Sequence, residues 1–138
     1  IARDSTGEVI MAAAGKLGDQ ASALQAETEA LLKAIQFTEA QGMGKVHFET
    51  DSLNLQQASS SSIQDRGPLG VLFREVKFLL QFGFSQCKIL YCPRVCNFPA
   101  HVLVAVGSNA EPECQLVWHA DFPIDVMNVV AADLVGPS

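Results

Sequence analysis

Followed for the alternation of apolar and polar positions, the chain offers a short arm and then helices and strands in turn. Asp4-Ser5-Thr6-Gly7 is a turn cluster, and Glu8 to Gly15 reads as a strand of an antiparallel pair, so Arg3 to Leu17 forms a hairpin arm. Ser22 is placed to cap a helix running to about Gln41, with Gln25 in the capping-box position and Gly42 closing it. At about 100° per residue, Leu24, Leu31 and Ile35 share a narrow sector of that helix, with Glu27 at its edge and Glu29 pointing away. From Lys45 to Asp51 the period shortens to that of a strand. Val46, Phe48 and Thr50 take one face, and His47, Glu49 and Asp51 take the other.

A short helix is expected from Ser52 to Ala58, running into Ser59 to Ser62, a polar tract that reads as a flexible loop. Pro68 suits the first turn of a second long helix, with Val71, Leu72, Val76, Leu79 and Leu80 on its inner side and Gly83 at its end. Gln86 to Cys92 is another strand, stopped by Pro93. Asn97-Phe98-Pro99 then opens a last helix through Val106, whose exposed first turn carries His101. An antiparallel arm followed by alternating helices and strands predicts an α/β fold with a mixed sheet flanked by helices. Glu111 to Ser138 is too apolar for a linker and too short for a domain of its own. Residues 1–106 are therefore expected to form the domain, and residues 107–138 a hydrophobic extension packed on it or on a partner.

At 138 residues, 49% of them hydrophobic, the chain is one domain by length and has ample material for a core. A formal net charge of −6 excludes a surface that is basic overall, so any nucleic-acid contact must come from a local patch. No apolar run reaches the roughly 18 residues of a membrane span, and no secretory leader is visible. Cys87, Cys92, Cys96 and Cys114 lack the paired short spacings of a zinc site. They read as buried thiols of an intracellular, reducing compartment.

Asp51 carries the most chemistry. It ends a strand just before a helix, and in open α/β sheets ligands gather beyond the carboxyl ends of strands. Glu27, beside an apolar stripe, is a second carboxylate that burial would penalise without a partner, and the two acids suggest a shared metal. The bland readings stay open: a solvated helix residue at Glu27, and a helix N-cap acceptor at Asp51. Arg66, Arg74, Lys77 and Lys88 read as solvated surface charges, and His47 and His119 as structural.

Four segments stand in a telling order: Arg3-Asp4-Ser5-Thr6-Gly7-Glu8-Val9, Ala26-Glu27-Thr28-Glu29-Ala30-Leu31, Glu49-Thr50-Asp51-Ser52, and Pro93-Arg94-Val95-Cys96-Asn97-Phe98-Pro99-Ala100-His101-Val102-Leu103. Together the set resembles the ribonuclease H type 1 family, and more closely its plant, retrotransposon-derived, reverse-transcriptase-like branch. The resemblance implies a ribonuclease H-like fold that cleaves the RNA strand of RNA·DNA hybrids, with magnesium or manganese held at four acidic positions. Glu27 and Asp51 match two of them, as catalytic and metal-binding residues. His101 stands where the family usually has Asp; it is either a nitrogen ligand, suited to softer ions than magnesium, or a surface His. The fourth acid belongs to the family's opening central strand, which would precede Ile1, so the site as it stands is expected to be impaired. Arg94 and Asn97 match the segment where the family meets phosphate, and Phe98 stands where Lys is frequent. Two functions follow as expectations: a nucleic-acid-binding domain that is ancestrally a hybrid-cleaving endonuclease, or a catalytically inactive nucleic-acid-binding or protein-interaction module of the same fold.

Overall fold

The computed structural model describes residues 1–15, 22–62, 65–111 and 115–135; Leu17 and Cys114 lie outside them. In chain order the elements are β1 (Ala2–Arg3), β2 (Val9–Gly15), α1 (Ala23–Ala40), β3 (Lys45–Thr50), α2 (Leu53–Ser60), α3 (Gly70–Phe82), β4 (Gln86–Tyr91), a single 3₁₀ turn (Arg94–Cys96), α4 (Phe98–Ser108), β5 (Gln115–Trp118) and α5 (Ile124–Val135). They divide into two compact units: one joins Ile1–Gly18 to Arg94–Ser138, and the other is Asp19–Pro93.

In the continuous unit, α1 starts and stops where its polar residues dictate. Ser22 accepts the Gln25 backbone N–H at 3.1 Å, satisfying an amide that the first helical turn leaves without a partner. The Gln25 side chain reaches forward, donating to Glu29 at 3.1 Å one turn on. At the other end Gly42 takes a positive φ of 75°, and the Gly42 and Met43 amides return to the Glu39 and Thr38 carbonyls, a Schellman closure that a residue with a Cβ resists. Leu31 and Ile35 are buried as the spacing predicts. Two threonines, Thr28 and Thr38, are buried beside them, and each hydroxyl donates to the carbonyl one turn back, at 2.6 Å.

β3 and β4 pair in parallel from Lys45↔Gln86 to Thr50↔Tyr91. Phe48 and Thr50 are buried, whereas His47 and Glu49 are exposed, so the period of two in the sequence is the period of burial. The core that results gathers Leu31, Ile35, Phe48, Leu55, Ala58, Phe73 and Val76, with Phe84 set edge-to-face on Phe48 at 5.7 Å.

The helices α3 and α2 depart from expectation. Val71, assigned to the inner side of α3, is 69% exposed, and Phe73 takes the buried place at 1%. The helix begins at Gly70, after Pro68, and its inward line runs through Leu69, Phe73, Val76 and Leu80, leaving Val71 well round the wheel. Ser59 and Ser60 are also not loop residues. They close α2, their hydroxyls donating to Leu55 and Gln56 carbonyls.

The other unit is a three-stranded antiparallel sheet in the order β1-β2-β5 with α4 and α5 packed in the same unit. Its core is Ala12, Ala14, Leu103, Val126 and Val130, with Trp118 and Phe122 against it. Small residues on β2 allow close approach: a Cβ at Gly107 of α4 would lie 2.7 Å from the Gly15 carbonyl oxygen. The extension therefore contributes a strand to β2 and a helix beside α4. Arg3 of β1 and Asp133 of α5 close the arrangement with an ion pair at 2.9 Å.

Candidate metal and nucleic-acid site

Asp51 follows β3 directly and is exposed. The local hydrogen bonds settle one alternative about it. The residue that caps α2 is Ser52, whose hydroxyl accepts the Leu55 amide at 3.2 Å, while Thr50 Oγ1 accepts the Ser52 amide at 3.1 Å. The N-cap role considered for Asp51 thus belongs to its neighbour, a distinction the sequence did carry, since Ser ranks with Asp as an N-cap.

Glu27 is half-buried on α1, next to the fully buried Thr28. Glu29 is half-buried too and accepts from the Gln25 side chain at 3.1 Å, so exposure does not separate the two acids; their places around the helix do. Glu27 and Asp51 belong to one unit and His101 to the other. His101 is exposed on the first turn of α4, its amide donating to the Asn97 carbonyl at 3.3 Å and its ring edge-to-face with Phe98, centroids 6.2 Å apart at 80°. Among the described residues, no group of three or more His, Cys, Asp and Glu side chains is gathered so as to hold a metal ion. Two carboxylates are hard oxygen donors, which fits magnesium or manganese as partial ligands.

Arg94 opens the 3₁₀ turn and is exposed, and Asn97 stands at the N-cap of α4, half-buried, with its amide on the Arg94 carbonyl at 3.0 Å. Two of the cations expected to be solvated are instead structural. Lys77 donates to the Asp65 carboxylate at 2.5 Å and to the Ser61 carbonyl, and Arg74 donates to the Asp65 carbonyl at 2.5 Å, so both tie α3 to the segment before it. The thiols divide as well. Cys87 packs on the core, donates to the Leu80 carbonyl at 3.0 Å and has its ionisation pushed up by burial, and Cys92 is half-buried. Cys96, expected to be buried, is exposed, because a one-turn 3₁₀ segment has no inner face to hide it.

Asp4 is a turn residue, as its sequence context requires. One of its oxygens accepts from the Thr6 amide at 2.8 Å, the Thr6 hydroxyl at 2.6 Å and the Glu8 amide at 3.1 Å, and these bonds, the Thr6 hydroxyl foremost, hold its carboxyl below the usual aspartate range.

Antiparallel and parallel strands with helices between them make an α/β architecture compatible with a ribonuclease H-like fold. The chain matches the family described as reverse transcriptase-like over residues 1–107, and it belongs to that family of ribonuclease H-like domains. No curated protein and no solved structure matches it. Among the described residues no helix is long and apolar enough to cross a membrane.

Proposed function

We propose that the chain is a nucleic-acid-binding domain whose ancestral chemistry is divalent-metal-dependent hydrolysis of the RNA strand of RNA·DNA hybrids, impaired in this chain. The observation that carries the reading is Asp51, exposed at the carboxyl end of β3 while Ser52 takes over the capping of α2. Glu27 and Asp51 would hold magnesium or manganese through oxygen, and Arg94 and Asn97 would meet phosphate. Divalent ions bound at such a site supply an activated water and a stabilised leaving oxygen. The chain's own contribution is negative charge fixed on a helix and at a strand end, and at position 101, where the family usually has Asp, it carries His instead. That substitution, with the net charge of −6, favours a second reading in which the fold binds nucleic acid or a protein without cleaving.

Calorimetric titration with manganese tests the site. Glu27→Gln and Asp51→Asn should each weaken binding, and Glu29→Gln should leave it unchanged, because at about 100° per residue Glu29 points away from the sector that Glu27 borders. An equal loss in Glu29→Gln would remove the assignment. A labelled hybrid that is bound but never cut, with either metal, would decide for the second reading.

A further inference from the structure

The segment opening α4 combines three properties. From Val76 to Ala110 no Asp or Glu occurs, although the chain carries 15 acids in all. Within that stretch the 3₁₀ turn presents Arg94 exposed and Val95 at 74% exposure. Phe98, at 45%, follows directly on the first turn of the helix with His101 against it. A large aromatic ring left in water four residues from an exposed arginine, in a run of the chain without carboxylates, matches the base and the phosphate of a nucleotide together.

We infer that Phe98, supported by His101, is a stacking platform for one unpaired base of a single-stranded nucleic acid, with Arg94 at the adjoining phosphate. This deepens the proposed nucleic-acid binding and rests on it. An edge-to-face pair covers at most one face of the Phe98 ring, and the residue remains 45% exposed. A contact at i,i+3 spacing restricts the ring, and a restricted ring loses less entropy on stacking. Bases inside a duplex have their faces covered by their neighbours, whereas a single strand can turn one out. Stacking also suits an acidic protein, because it draws on the π-face that every base has and does not depend on neutralising many phosphates.

The test is fluorescence anisotropy of the whole chain with labelled single-stranded oligothymidylate and oligouridylate, alongside a labelled RNA·DNA hybrid. Phe98→Leu keeps an apolar side chain without a π-face and should weaken both single strands roughly 5- to 150-fold, the span expected for loss of one stacked base, while Phe98→Trp retains affinity. Circular dichroism of both variants checks that α4 is kept. With one phosphate partner, the log–log salt slope should be about −0.7, far shallower than for a basic nucleic-acid binder. Wild-type affinity for single strands surviving in Phe98→Leu overturns the platform while leaving the proposed function standing. Binding to single strands that needs Phe98, with none to the hybrid, keeps the platform and removes the hybrid as substrate. Binding to neither overturns both.

Discussion

Asp4 concentrates on one oxygen the three hydrogen bonds that shape the first turn, and its ionisation is therefore linked to folding. Its folded-state affinity for protons is depressed, so the unfolded chain binds the proton more readily, and the carboxylate contributes stability above the ordinary aspartate range near pH 4. That contribution is lost as pH falls through the lower folded value. Thermal unfolding between about pH 6 and pH 2 should show an acid-side loss in the wild type that is smaller in Asp4→Asn; identical profiles would mean that the turn is held by its backbone alone. Asp4 and Ser22 were legible because a short polar side chain at a turn or helix start has few other uses. Asp51 was half legible. The sequence placed it at the strand end, but two adjacent residues, Asp51 and Ser52, were both competent to cap, and only the backbone geometry assigns the role to Ser52.

Among the elements, α3 shows where sequence pattern gives out. It carries apolar residues at Val71, Leu72, Phe73, Val76, Phe78, Leu79, Leu80 and Phe82, so apolar identity does not pick a face, and the choice falls to the geometry of the wheel. Val71 lies about 140° from Val76 at 100° per residue, too far to share its burial. Phe73→Ala should cost about 3 to 5 kcal/mol by emptying a filled core position, whereas Val71→Ser should change stability by less than about 0.5 kcal/mol. Urea denaturation of the two variants separates the assignments, and a reversed order would restore the inner placement of Val71. β3 was easier to read, because strict alternation of Val46, Phe48 and Thr50 with polar neighbours admits one buried face only.

Across the whole molecule, sequence legibility fell off with separation along the chain. Residues 107–138 announced themselves as apolar, but nothing local to Leu116 or Val117 says that their partners are Ala14 and Ala13, a pairing fixed by long-range register. The metal candidates were read from local periodicity in the same way, and among the described residues no group of three or more His, Cys, Asp and Glu is gathered around them. The division of the chain carries a further consequence: one unit is continuous from Asp19 to Pro93, and the other is assembled from the stretches on either side of it. During synthesis the continuous unit leaves the ribosome whole, while Val9–Gly15 must wait for Gln115–Trp118 before its second edge is covered. A polypeptide of residues 19–93 alone should then unfold cooperatively in denaturant, and one ending at residue 111 should show protease cleavage within β2 with α1 and α3 protected. Cleavage spread evenly over both units would mean that neither folds ahead of the other. The order of emergence makes β2 an unpaired edge for as long as the last strand takes to appear, which is the interval in which a nascent chain of this kind is open to capture by another strand or by a chaperone.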